Sequence, residues 1–414
     1  MSNNPATTPR LDYDVDARYL PALTLFPFEK NLEEWQAFGV APIMMRRGDS
    51  RHQVIFVKSK LPALPFRFAI KEISLDLARR EIENYHKLRE LGVQTLTPVG
   101  IVTRRESTVP IQTPAGVMYQ AGVTAYLITL LEDAVLPESV LFGLRFQQQA
   151  RKEIFDAIAE LFAQCHALNV YWGDASLDNL LIKFVREEHT LGKRRRLVAL
   201  LADTETTEIH PSLSQRMKEA DLEFFFESML WLDEEFHKRG NPRDKSITLN
   251  DIAYLRGRYN ALTDIWNAHK RFDSLTQFNS ERHFGRFRKV AYADTLLKHL
   301  EEHKWYLSER MKSPVSMRNA TLDWYANYFL PIQDLLKQSH FADYFPDKTE
   351  LEVYLEIMEN KYYLSEQQKR DVGLSYAIQD FAKRFGIEKN YVSSLKKMFK
   401  TLIDITKEYA KFPR

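Results

Sequence analysis

The chain has a single cysteine, Cys165, so no intramolecular disulfide can staple it and no paired-cysteine metal site can form. It also lacks a long apolar run. The most apolar stretch, Thr124 to Leu131, falls far short of the ~20 residues that a membrane-crossing helix needs. The opening MSNNPATTPRLDYD has no apolar segment of the secretory-signal kind. Neither charge is in excess: 58 basic residues stand against 56 acidic ones, so bulk charge gives no general affinity for nucleic acid or a membrane surface. The 11 histidines are scattered, with no His-Glu-x-x-His, which argues against a zinc site. No internal repeat or low-complexity tract stands out. These absences lead to the expectation of a cytoplasmic protein with no transmembrane segment.

What the chain does have is ample core material, at 44% hydrophobic and 12% aromatic residues. Its 414 residues exceed what one hydrophobic core usually serves, so more than one globular domain is expected. Residues 1–38 carry several prolines and little periodicity and read as an N-terminal arm, with a possible short helix over Asn31 to Phe38. Residues 39–135 alternate β-rich runs with turn residues: VAPIMM, HQVIFV, FRFAIKEI, TPVGIVTR and TAYLITLL. One segment of helical period, Leu77 to Leu91, interrupts them after the third run. Residues 136–240 open with a long helix over Phe146 to Leu168, then two apolar runs, NLLIKF and RLVALLAD, around a charged hairpin loop from Arg186 to Arg196. Residues 241–414 are almost wholly helical in pattern. The fold class expected is α+β: a small antiparallel β lobe, a helical lobe, and an all-α C-terminal domain.

The residues able to carry chemistry fall in a definite order along the chain. Lys71 ends the run Phe68-Ala69-Ile70-Lys71 in the third strand. Of the glutamates in the following helix, Glu81 starts a register that puts Asn84, Tyr85 and Leu88 on the same inward face; Glu83 is the alternative. After the long helix comes Trp172-Gly173-Asp174-Ala175-Ser176-Leu177-Asp178-Asn179, and at the next strand end Leu200-Leu201-Ala202-Asp203-Thr204-Glu205. Phosphoryl transfer needs a carboxylate to orient the attacking hydroxyl, and oxygen donors nearby to hold magnesium on the phosphates.

Asp174 and Asn179 resemble the aspartate and asparagine of the catalytic loop in protein-kinase-like enzymes, and Phe68 to Lys71 resembles the strand whose lysine contacts the nucleotide phosphates and pairs with a helix glutamate, which makes Glu81 the expected partner of Lys71 and Glu83 the alternative. Asp203 stands where that superfamily keeps a magnesium-binding aspartate. Its Asp-x-Glu setting is similar to aminoglycoside and choline phosphotransferases, which makes Glu205 a further metal ligand. Asp221 resembles the buried aspartate that braces the catalytic-loop backbone. Taken together, residues 39–235 resemble lipopolysaccharide-kinase-like and aminoglycoside-phosphotransferase-like proteins, implying a two-lobed protein-kinase-like fold. The segments Phe345 to Glu350, Tyr354 to Glu359 and Lys361 to Ser365 look like the domain of unknown function DUF4032.

The resemblance implies ATP and Mg2+ as cofactors and transfer of phosphoryl to an acceptor hydroxyl on a small molecule, sugar or protein. Lys71 and Asp174 are then catalytic; Lys71, Glu81, Gly48 and Arg46 bind nucleotide; and Asn179, Asp203 and Glu205 bind metal. Two departures stand out: Ser176 occupies the place of a charge-neutralising lysine, and the first turn, Met45 to Ser50, has only one glycine. These departures keep a nucleotide-sensing pseudokinase open beside the enzyme, as well as an AMP transferase using the same pocket. The interval from Asp203 to Asp221 is only 18 residues, too short for the long activation segment of regulated protein kinases. The basic face of Val392 to Phe412 could meet an anionic partner, although packing on the domain is the plainer account; a solvated hairpin tip likewise explains Lys193 to Arg196.

Overall fold

Strict alternation in Leu11-Asp12-Tyr13-Asp14-Val15 makes an edge strand, β1 (Arg10–Val15), which turns Leu11, Tyr13 and Val15 toward the core. In the computed structural model, residues 9–44, 52–113, 116–132, 135–137, 148–189, 192–240, 247–285, 287–338, 341, 344–345 and 348–385 are described. β1 pairs antiparallel with β4 (Pro98–Thr113), placing Val15 opposite Gly100. The pairing needs that glycine. Gly100 has φ +145°, and a Cβ there would lie 2.3 Å from the carbonyl oxygen of Asp14.

β2 (Gln53–Lys58), β3 (Arg67–Ser74) and β5 (Gly116–Leu130) complete a five-stranded antiparallel sheet in the order β1-β4-β5-β3-β2. Five strands were expected, but the first of them lies elsewhere. The VAPIMM segment forms only an isolated bridge from Pro42 to Val57 and one bond from Ile43 N to the Phe56 carbonyl. Proline has no N–H to give to a ladder.

The segment expected to be an arm is an integral layer of this lobe. Tyr19, Leu23, Phe26, Phe28, Leu32 and Trp35, which include the short helix α1 (Leu20–Leu23), pack on one face of the sheet against Phe68, Ile70, Val102 and Tyr126. Arg104 fastens it, donating to Asn31 at 2.6 Å and to the Tyr126 hydroxyl at 2.7 Å, while that hydroxyl donates to the Lys30 carbonyl. Only a 3-10 turn, Leu32–Glu34, forms where a helix over Asn31 to Phe38 was expected.

The opposite face is covered by α2 (Leu75–Glu90). Its buried residues Ala78, Glu81, Asn84, Tyr85 and Leu88 recur at three- and four-residue steps, and Gly92 at φ +80° closes its C-terminus. Glu81 and Asn84 are polar residues on the inward stripe of an amphipathic helix, so the sheet side of α2 must supply their partners.

A helical body follows. α3 (Gln148–Ala167) buries Ile154, Ile158, Leu161, Phe162 and Cys165. β6 (Val135–Pro137), β8 (Leu180–His189) and β9 (Gly192–Leu201) form a three-stranded sheet, and β7 (Val170–Tyr171) pairs with β10 (Glu208–Ile209). The β8 and β9 strands extend through most of the charged stretch expected to be a loop, because strand pairing keeps its backbone bonded. α4 (Gln215–Lys238) starts at Ser214, whose hydroxyl caps Met217 N.

The remaining elements are α5 (Leu249–Thr276), α6 (Ser280–Phe284), α7 (Val290–Met311), α8 (Met317–Trp324), α9 (Leu330–Gln338), α10 (Glu350–Gln368) and α11 (Gly373–Arg384). α8 runs into a π turn, Tyr325–Phe329. Thr349 and Glu352 form a capping box at the head of α10. The chain divides into two compact units, residues 1–186 with 195–262, and residues 187–194 with 263–414. In the second unit an aromatic cluster of Phe284, Trp324, Phe329 and Tyr354 forms part of the core. Among the described residues no helix is long and apolar enough to cross a membrane.

Candidate active site

β3 lies between β5 and β2, so the Lys71 side chain cannot lie out at an open sheet edge. Lys71 is buried, and its ammonium donates to Glu81 at 2.9 Å and to Asp203 at 2.8 Å. Glu83, the alternative partner, is exposed and pairs with Lys87 one turn along the same helix. The helical register separates the two: three-residue steps from Ala78 keep Glu81 inward and turn Glu83 out.

Asp203 follows β9, and its Oδ1 accepts the Glu205 amide at 3.1 Å. This local turn folds Glu205 back, which is what an aspartate two residues before it can do. Glu205 Oε2 then lies 3.7 Å from Lys71 Nζ and 3.6 Å from His52 Nε2. Glu81, Asp203 and Glu205 each offer a carboxylate oxygen within 4.8 Å of one another. Among the described residues these three carboxylates face one ammonium, that of Lys71, and one imidazole, that of His52.

Burial works against the charge on Lys71, but Glu81 and then Asp203 outweigh it and raise the ammonium's pKa. Burial likewise pushes the Glu81 carboxyl up from 4.5 to about 7, and the Asp203 charge adds to this against the pull of Lys71. A carboxyl whose folded pKa is raised contributes stability below its unfolded value and loses it as pH rises through the folded one. The protein should therefore lose thermal stability between about pH 4.5 and pH 7 on this account. Glu81→Gln should flatten that part of the melting-temperature profile. A variant profile parallel to wild type would assign the dependence to another group.

The loop after β7 turns at Gly173, with φ +83° and no room for a side chain: a Cβ would meet the Thr206 carbonyl at 2.9 Å. Its backbone is held from beneath. The Asp221 carboxylate, on α4, accepts the Trp172 and Gly173 amides, both at 2.8 Å. His166 Nε2 lies 3.3 Å from the same carboxylate, which leaves its Nδ1 to accept from the Tyr259 hydroxyl at 2.8 Å.

Asp174 is partly buried, and its carboxylate makes no hydrogen bond among the described residues. Its carbonyl accepts from Ser176 N at 2.9 Å and from the Asn179 amide nitrogen at 3.0 Å. With its nitrogen so used, Asn179 keeps its side-chain oxygen as an acceptor. Its own carbonyl accepts from Ala202 N at 2.9 Å, which joins the loop to the strand end carrying Asp203. Gly48 and Arg46 lie outside the described residues, as do Val392 to Phe412 and the side chains of Lys193 to Arg195.

Glu205 Oε2 is inaccessible to solvent yet accepts no hydrogen bond among the described residues, its cationic neighbours Lys71 and His52 standing beyond hydrogen-bond distance. A buried oxygen that accepts no hydrogen bond, beside two other carboxylates, suits a hard divalent cation, so these residues fit a metal. The elements form an antiparallel-sheet lobe, a helical body and a helical C-terminal region, an α+β arrangement in which a sheet-borne lysine is met by a helix glutamate and a strand-end aspartate.

Residues 322–385 match the family described as a domain of unknown function, DUF4032. No curated protein matches the chain. Among solved structures, WaaP in complex with acyl carrier protein is similar at 15% identity over 63% of this chain and 94% of that one, with a TM-score of 0.37. The Rio2 kinase–ADP/Mg2+–phosphoaspartate complex from Chaetomium thermophilum is similar at 12% identity over 65% and 74%, with a TM-score of 0.30.

Proposed function

We propose that the first unit is an ATP- and Mg2+-dependent phosphotransferase acting on a hydroxyl of a small molecule, sugar or protein. The observation that carries this reading is the Lys71 ammonium held between Glu81 and Asp203, with a buried Glu205 oxygen alongside that accepts no hydrogen bond among the described residues. A surplus of carboxylates about one buried lysine is electrostatically costly in isolation and is relieved by a divalent cation.

In this reading Asp203, Glu205 and the Asn179 oxygen hold magnesium, which when bound would neutralise charge on the transferred phosphoryl. Lys71, fixed by Glu81, binds the nucleotide phosphates. Asp174 orients the acceptor hydroxyl and takes its proton; its carboxylate makes no hydrogen bond among the described residues and so is available for that work. The proposed catalysis rests on positioning and charge neutralisation.

The test is incubation of the full chain with Mg2+ and ATP labelled at the γ- or α-phosphate, with and without cell extract, followed by mass analysis of labelled products. Label from the γ-phosphate and an added phosphate mass are expected. An adenylate mass would replace phosphotransfer with AMP transfer. ATP-induced thermal stabilisation with no product would make the protein a nucleotide sensor.

A further inference from the structure

Asn84 is the one amide on the buried stripe of α2, and its work lies outside the helix. Its Nδ2 donates to the Thr204 carbonyl at 2.7 Å and the Thr207 carbonyl at 3.0 Å, 120 and 123 residues away in the chain. The first of these carbonyls lies within the Asp203–Glu205 turn and the second just beyond it. The same turn is tied to α2 twice more: Thr204 Oγ1 donates to the Glu81 carbonyl at 3.1 Å, and the Tyr85 hydroxyl donates to the Ala202 carbonyl. On its other side Thr206 Oγ1 donates to the Trp172 carbonyl at 3.0 Å, where only a glycine at 173 leaves room. Thr204 and Thr207 are buried, so each bond forms away from competing water.

A side-chain amide suits this place because it alone among short side chains offers two N–H donors from one nitrogen, matching two converging carbonyls. The Tyr85 hydroxyl also lies 3.0 Å from Glu81 Oε1, so one helix face holds both the lysine's partner and the metal-ligand turn. We propose that Asn84 is a positioning residue that presets the Asp203–Glu205 turn for a divalent cation, making α2 and the metal site a single rigid assembly. This rests on the phosphotransferase reading above. It also accounts for how a chain with an interval of only 18 residues from Asp203 to Asp221 would order its metal ligands: the order comes from α2.

The experiment measures the Mg2+ concentration that half-saturates ATP-dependent thermal stabilisation of the full chain, beside metal-free ATP affinity and hydrogen exchange over residues 202–207. Asn84→Ala should raise the half-saturating Mg2+ by about tenfold, as loss of a group supporting metal ligands does. Metal-free ATP affinity should hold, and exchange in the 202–207 segment should rise. Thr204→Val, isosteric and missing only the hydroxyl bond, should give a smaller change of the same kind and keeps the test open should Asn84→Ala fold poorly. Unchanged Mg2+ saturation in a folded variant overturns the positioning role alone. Metal-free and metal-bound affinities falling in parallel overturn it too, since Asn84 would then merely support the fold. Wild-type protein with no Mg2+ dependence overturns the phosphotransferase reading and this inference with it.

Discussion

Asp203→Asn should reduce metal-dependent ATP turnover on the order of 10³-fold, about 4 kcal/mol of transition-state stabilisation, while leaving the protein folded. The substitution keeps the shape of the side chain but removes the negative charge that both holds Lys71 at 2.8 Å and faces the proposed metal position. Asp203 is about a quarter exposed, so the fold does not depend on it as it does on a fully buried group. Lys71 would keep Glu81, and its position should survive.

Asp174→Asn makes the informative companion: turnover should fall 10²-fold or more, by about 3 kcal/mol, with the Mg2+ requirement unchanged, because Asp174 is assigned to the acceptor. Intrinsic ATP hydrolysis measured across a Mg2+ series distinguishes the two. An Asp203→Asn protein that turns over like wild type would remove the metal-binding assignment.

The largest loss of stability is expected from Asp221→Ala. This carboxylate is buried and accepts two backbone amides, with His166 as a third neighbour. Removing it leaves those N–H groups without acceptors in a dry site, at a cost of about 3–5 kcal/mol. In a unit of this size that corresponds to a melting temperature lower by about 10 °C. Asp221→Asn keeps one acceptor oxygen but turns an amide nitrogen toward a backbone N–H, and should fall between. Calorimetry of the three proteins measures the order; equal melting temperatures would mean that the Trp172–Gly173 backbone is held by something else.

Much of the core site was legible in residue type and spacing. A lysine closing an apolar strand run, a glutamate on the inward register of the next helix, and an aspartate at a later strand end meet at Lys71, Glu81 and Asp203. The helix expected over Leu77 to Leu91 forms as Leu75–Glu90, because its period and the closing glycine are local signals. The misreadings also have local causes. Charged and proline-rich neighbours obscured the alternation in Leu11 to Val15, and an apolar run containing Pro42 passed for a strand although proline cannot donate to a ladder. Gly100, a glycine inside a strand, was the available signal that another backbone approaches there.

The sequence by itself determined which groups could do chemistry, their order, and which face of α2 each occupies, because strand and helix periods are set by the backbone and act within a few residues. Asn84 was placed inward on that basis, but its acceptors could not be named. The tertiary structure decided the rest: the docking of β1 and residues 19–40 on the sheet, the return of Glu205 toward Lys71, and the bonds from α2 to the Asp203–Glu205 turn. Those contacts join segments from tens to more than a hundred residues apart, and no local period encodes a partner at that distance. Only the packing of two layers brings such groups within reach of one hydrogen bond.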